Sequence, residues 1–148
     1  MKKIVVAGGG WAGCAAALSA AVCGAQVTLL ERTDLLLGTG LVGGIYRNNG
    51  RLTALLEAKA MGCGCLFDLM DQTALHTKLD FPGHRHAALY DVTQIETLVK
   101  QQLLKQGVTL RFLSRAADVY VREDRIEKVL LDNKEAVSAH VFIDTTGS

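Results

Sequence analysis

Residues 8–13 read GGGWAG and follow directly on KIVVA, residues 3–7. No other stretch limits the possible folds as strongly. A short β-branched run bounded by glycine reads as a buried strand. WAGCAAALSAAVCG, 11–24, reads as a helix with Gly24 as the cap just past its end. AQVTLLE, 25–31, reads as a second buried strand. Strand, glycine turn, helix and strand within about 30 residues make a βαβ unit, whose right-handed crossover belongs to a parallel sheet. The predicted fold class is therefore α/β, with a Rossmann-like parallel sheet.

Inside this unit Gly8, Gly10 and Gly13 fit the spacing G-x-G-x-x-G. Gly8 permits the tight turn off the strand. Gly10 lets a pyrophosphate approach the backbone without a Cβ in the way. Gly13 lets the helix lie close on the sheet. The helix start at Trp11 and Ala12 aims free N–H groups and a partial positive charge at the phosphates. Glu31 ends the second strand, 18 residues after Gly13, where its carboxylate accepts hydrogen bonds from ribose hydroxyls. That carboxylate argues against a 2′-phosphorylated nucleotide, because two anions repel. Arg32 either covers the adenine or ribose or stands in water, and the two readings stay open.

Other functions are disfavoured. Four glycines interrupt the apolar start, which is unlike a cleaved leader, and no run is long enough to span a bilayer. Hydrophobic residues make up 49% of the chain, too many for a disordered segment. The net charge is +1 with scattered basic residues, which leaves no footprint for nucleic acid or an anionic membrane. Of 15 glycines, 12 fall within residues 8–64, so the close backbone approaches belong to the first part of the chain. Cys14 and Cys23 lie in the alanine-rich helix, and Cys63 and Cys65 form CGC. Without zinc-like spacing to further ligands, they read as reduced structural thiols of a cytosolic protein, with a redox or metal role for CGC as the lesser reading.

Downstream, RLTALLEAKAMG (51–62) has helical spacing, and CLFDLMDQTAL (65–75) is expected to continue as helix. FPGHRH (81–86) reads as a loop that carries His84 and His86. VTQIETLVKQQLLKQG (92–107) is an amphipathic helix, with Asp91 expected as its N-cap. VTLRFLS (108–114) is a third parallel strand. DVYVREDRIEKVLLDNKEAVSA (118–139) alternates and turns at RED and DNKE, a small antiparallel β-meander, and HVFIDTTG is a final parallel strand.

The fingerprint alone does not separate NAD from FAD. A second glycine cluster, LLLGTGLVGGIYRNNGR at 35–51, favours FAD. It resembles the loop that flavoproteins of the glutathione-reductase and succinate-dehydrogenase type run along the pyrophosphate and flavin. VVAGGGWAGCAAA, VGGI at 42–45 and VFIDTTGS further resemble the tRNA uridine-modifying flavoproteins of the glucose-inhibited division protein A family. This resemblance implies an FAD-dependent oxidoreductase, with Gly38, Thr39, Gly43 and Gly44 along the cofactor. It also implies the backbone near Val119 at the adenine end, and Gly147 returning to the cofactor. One of His84 and His86 becomes a candidate general acid or base, against the reading of a solvated loop histidine. The resemblance makes residues 1–148 the N-terminal FAD-binding portion of a larger enzyme, with a substrate domain after Ser148. The expected substrate is a small molecule, the location cytoplasmic, and self-association proceeds through the uncovered sheet. The residues keep two alternatives: an NAD-binding dehydrogenase domain and a non-catalytic dinucleotide-binding module.

Overall fold

The computed structural model, which describes residues 1–48, 52–81 and 84–147, builds the βαβ unit from β1 (Lys3–Ala7), α1 (Trp11–Val22) and β2 (Gln26–Leu30). β1 and β2 pair in parallel, Lys3 opposite Gln26 through Ala7 opposite Leu30. Their side chains alternate between two layers, as a period of two requires. Val6, Val27 and Leu29 face the helices, whereas Val5 and Leu30 face the opposite layer. α1 ends at Val22, and Gly24 follows in the left-handed region at φ +82°, the conformation that terminates helices without a Cβ penalty.

β6 (Thr109–Arg111) joins β2, and β10 (Val141–Asp144) joins the other side of β1, giving a parallel sheet in the order β10-β1-β2-β6. α4 (Ile95–Lys105) lies on the same face as α1 and buries Ile95, Val99 and Leu103. Each such side chain contributes about 1.5–3 kcal/mol on leaving water. The opposite face is covered by the meander β7 (Ala116–Arg122), β8 (Arg125–Leu131) and β9 (Ala136–Ser138), whose Val129 and Leu131 pack on Val5 and Leu30. Its first turn falls at the expected RED: Glu123 and Asp124 both adopt left-handed φ, +49° and +57°, as a tight two-residue hairpin turn demands. The α/β class, the parallel sheet and the meander thus match the sequence expectation.

The middle of the chain differs from it. α2 (Leu52–Ala60) forms as expected, but α3 (Cys65–Gln72) stops three residues short of the predicted end. β4 (Ala74–Phe81) follows, pairs antiparallel with β5 (His84–Tyr90), and β5 pairs with β3 (Arg47–Asn48). The expected loop at 81–86 is therefore the end of a hairpin. His84 and His86 stand on β5, while Pro82 and Gly83 lie outside the described residues, as do residues 49–51 of the second glycine cluster. The physical reason is pairing: an eight-residue segment beginning ALHTKLD has no helical stripe strong enough to outweigh a strand partner. α4 also starts one turn later than Asp91. Asp91 still caps the lead-in turn, its carboxylate accepting from the Thr93 N–H at 2.8 Å and the Thr93 hydroxyl at 2.6 Å. These bonds hold its pKa below the ordinary carboxylate value, the Thr93 hydroxyl contributing most.

Candidate functional site

The carboxyl ends of β1, β2, β6 and β10 open on one cleft of about 820 Å³. Its wall is built from the segments that leave those ends: Gly8 and Gly10 after β1, Glu31 to Thr33 after β2, Ser114 to Ala116 after β6, and Thr145 to Gly147 after β10. In a sheet ordered β10-β1-β2-β6 the chain runs outward on both sides of β1. Such a reversal leaves a crevice where open α/β sheets bind their ligands.

The glycine turn divides its labour. Gly13 touches the strand side: a Cβ there would overlap the Gly8 carbonyl and come within 2.8 Å of Thr145 Oγ1. Gly8, at φ +103°, is held by its N–H to Leu30 O at 2.8 Å and by the Thr145 hydroxyl, 2.9 Å from its own carbonyl. Gly10 is different. It is the N-cap of α1, and a Cβ there would meet nothing within 4 Å. No side chain caps α1 and no acidic residue occupies its first turn. Its first N–H groups have no intrahelical acceptor, and they point at a cleft lined by Gly10, Trp11 and Ala12. A diphosphate fits this position: uncapped donors, the positive end of the helix dipole, and a space that a side chain would fill.

Glu31 is almost fully buried, 7% exposed. Its Oε2 accepts the Gly9 N–H at 2.7 Å, and Oε1 accepts the Thr33 N–H at 2.8 Å and the Thr33 hydroxyl at 3.0 Å. An ionised carboxylate offers about four lone-pair sites; one is free, and a second is released when the Thr33 hydroxyl turns its proton to Leu35 O at 2.9 Å, which together accommodate a ribose diol. The bond to Gly9 makes Glu31 a support of the glycine turn, and the bonds to Thr33 tie that support to the segment after β2. Cys14, one helical turn in, donates its thiol to Gly9 O at 3.3 Å, and burial pushes its pKa up to about 12. It is a packing group without thiolate character.

The second glycine segment is clamped to the first. The Leu37 N–H donates to Gly9 O at 2.7 Å, and Leu37 forms a parallel bridge with Gly10. Gly38, Thr39, Gly40, Val42 and Gly43 then line the cleft around a short 3-10 turn, Gly38–Gly40. Behind them stands Tyr90, whose hydroxyl donates to Gly40 O at 2.6 Å. At the return, Asp144 accepts from the Thr146 N–H at 2.9 Å and hydroxyl at 2.7 Å, bonds that lower its pKa, the backbone donor foremost.

Of the residues singled out from sequence, Gly8, Gly10, Trp11, Ala12, Glu31, Arg32, Gly38, Thr39, Gly43 and Gly147 line this one cleft. Gly13 and Gly44 do not. Gly13 packs behind the turn, and Gly44 is exposed at φ +79°. Val119 does not reach the cleft either. It is exposed on β7, paired with Val129, and the wall it was expected to supply comes from Ala116, three residues earlier. The sequence also failed to mark Thr33, Ser114, Arg115, Thr145 and Thr146. A positional signal was available: each lies just past the carboxyl end of a parallel strand.

The FAD dependent oxidoreductase family matches the chain over residues 3–148. No curated protein matches it. Among solved structures, GidA of Aquifex aeolicus superposes with a TM-score of 0.78 at 20% identity, over 99% of this chain and 25% of that one. THI4 of Thermovibrio ammonificans gives 0.69 at 16% identity, over 99% and 57%. A ferredoxin reductase of Rhodopseudomonas palustris gives 0.57 at 14% identity, over 99% and 24%. The chain thus spans between about a quarter and just over half of the length of these neighbours, and the likeness is one of fold.

Proposed function

The chain belongs to the FAD dependent oxidoreductase family, and on that premise we propose that residues 1–148 form the FAD-binding portion of a larger flavin-dependent oxidoreductase of the GidA kind. The observation that carries this reading is the uncapped N-terminus of α1, open at Gly10 onto a cleft with the Glu31 carboxylate beside it. When bound, FAD supplies the electron transfer that no set of side chains in the cleft performs. The chain's own residues bind and orient. The N–H groups following Gly10 hold the diphosphate. Glu31, fixed by Gly9 and Thr33, accepts the ribose hydroxyls. Arg32 and Arg115, which line the cleft near Glu31, flank the adenine end. The 38–43 segment forms the wall along which the flavin lies, with the return at Thr145 to Gly147 closing the crevice between β1 and β10.

The substrate is a small molecule met outside these residues. Among the described residues no helix is long and apolar enough to cross a membrane. A cytoplasmic location agrees with the cysteine usage. The sheet expected to be uncovered carries α1 and α4 on one face and the meander on the other, so self-association would be left with the exposed edge at Val141. A competition titration of FAD, ADP and FMN on the purified chain tests the core of the proposal. FAD is expected to bind, ADP to compete nearly as well, and FMN hardly to bind. NAD binding without FAD binding would return the alternative of a nicotinamide domain.

A further inference from the structure

We propose that Tyr90 is the positioning residue for the flavin-side wall of the cleft: its single hydroxyl latches the first residue of α1 to the turn at 40–45. The inference rests on the reading that FAD lies in this cleft with its flavin along the second glycine segment. Three parts of the chain, remote in sequence, meet at this oxygen. Tyr90 ends β5, in the antiparallel sheet, and is 1% exposed. Its hydroxyl donates to Gly40 O at 2.6 Å, with Ile45 O also in reach at 3.1 Å. It accepts the Trp11 indole N–H at 3.3 Å, and the two rings meet edge to face with centroids 5.6 Å apart. A Cβ on Gly40 would overlap Trp11 Nε1 and stand 2.8 Å from the Tyr90 hydroxyl. Gly40 is thus required by the latch itself.

The wall is held in two ways. Its two ends are tied by backbone, the start to the glycine turn through the Leu37 N–H and Gly9 O at 2.7 Å, the end to β5 through the Tyr90 N–H and Tyr46 O at 3.3 Å. Between these ties the Tyr90 side chain holds it. Thr39, Val42 and Gly43, which line the cleft, are carried between the two ends. Burial raises the Tyr90 pKa, so the phenol keeps its proton as a donor across the working pH range. Removing the hydroxyl leaves the Gly40 carbonyl and the Trp11 indole N–H without their partner and loosens the wall at 40–45. It leaves Glu31 and the Ser114–Ala116 segment, at the adenosine end, untouched. The consequence is a split between ligands: FAD feels the loss and ADP does not.

The test is Tyr90→Phe in the purified chain, titrated with FAD and with ADP. Amide hydrogen exchange over residues 40–45 and emission of Trp11, the one tryptophan, are read without ligand. The expected result is FAD affinity weakened about tenfold, ADP affinity within about twofold, exchange at 40–45 faster by about tenfold, and shifted Trp11 emission. Equal losses for FAD and ADP, or no change at 40–45, would overturn the proposal. Should Tyr90→Phe fail to fold, Gly40→Ala, which wedges the latch apart with both rings intact, must give the same FAD-selective loss. Its absence there would overturn the proposal equally. Wild-type chain that binds neither ligand would sink the FAD reading instead, and exchange and emission would then decide the latch alone.

Discussion

Glu31→Gln separates the two duties that the structure assigns to one carboxylate. The amide is isosteric but has one acceptor oxygen. With that oxygen turned to the Gly9 N–H, bonded at 2.7 Å in the native chain, the NH₂ faces Thr33. The Thr33 hydroxyl rotates to accept it, yet the Thr33 N–H, 2.8 Å from Oε1, loses its acceptor. An unsatisfied buried donor costs about 1–3 kcal/mol, and the lower end applies because this bond is part-buried beside an open cleft. At this chain length ~1 kcal/mol lowers Tm by about 2–4 °C. For the ligand, two charge-assisted bonds become neutral ones. At a difference of about 1 kcal/mol each, the loss is ~2 kcal/mol, or about 30-fold in Kd. Scanning calorimetry without ligand reads the first effect and isothermal titration with ADP the second. An unchanged Tm together with unchanged ADP affinity would refute the assignment. A lowered Tm with unchanged affinity would leave Glu31 a turn support only.

Gly10→Ala and Gly13→Ala are expected to part company. The first should keep its melting temperature and lose ADP and FAD binding, because its Cβ enters open space at the helix start; the second should melt markedly earlier, because its Cβ overlaps the Gly8 carbonyl. Thermal melts by circular dichroism beside titrations check both, and a stable Gly13→Ala protein would contradict the packing role. Native alkylation at mildly alkaline pH followed by mass spectrometry should label the exposed Cys23 and Cys63 and spare Cys14, which is buried with its thiol pushed up to about 12. Early labelling of Cys14 would show that the turn opens. Asp144 and Asp91 have lowered folded pKa values, so their contribution is present above the ordinary carboxylate value of ~3.9 and is lost as pH falls through the lower folded value. Asp144→Asn should flatten the acid limb of a stability–pH curve, and an unaltered limb would count against the Thr146 bonds.

The βαβ unit was legible because its information is local. Gly8, Gly10, Gly13 and Glu31 lie within one short stretch, and the continuous apolar runs of KIVVA and AQVTLLE mark both as buried strands before any partner is known. The helix at 95–105 and the turn at Glu123 and Asp124 were legible for the same reason: a period and a hairpin signal are properties of neighbours along the chain. Tertiary structure decided what neighbours do not carry. Residues 74–81 became a strand because β5 was there to pair with them, while their own pattern fitted no period well. Arg115 and Ala116 reached the cleft because β6 joins β2, and Val119, three residues on from Ala116, was carried out along β7 by its pairing with β8. Tyr90 found Gly40 and Trp11 only when two separate sheets had formed. Local sequence sets dihedrals and burial faces; which distant segments share a cleft depends on non-local pairing, and that is settled by the free energy of the whole fold rather than by any one stretch.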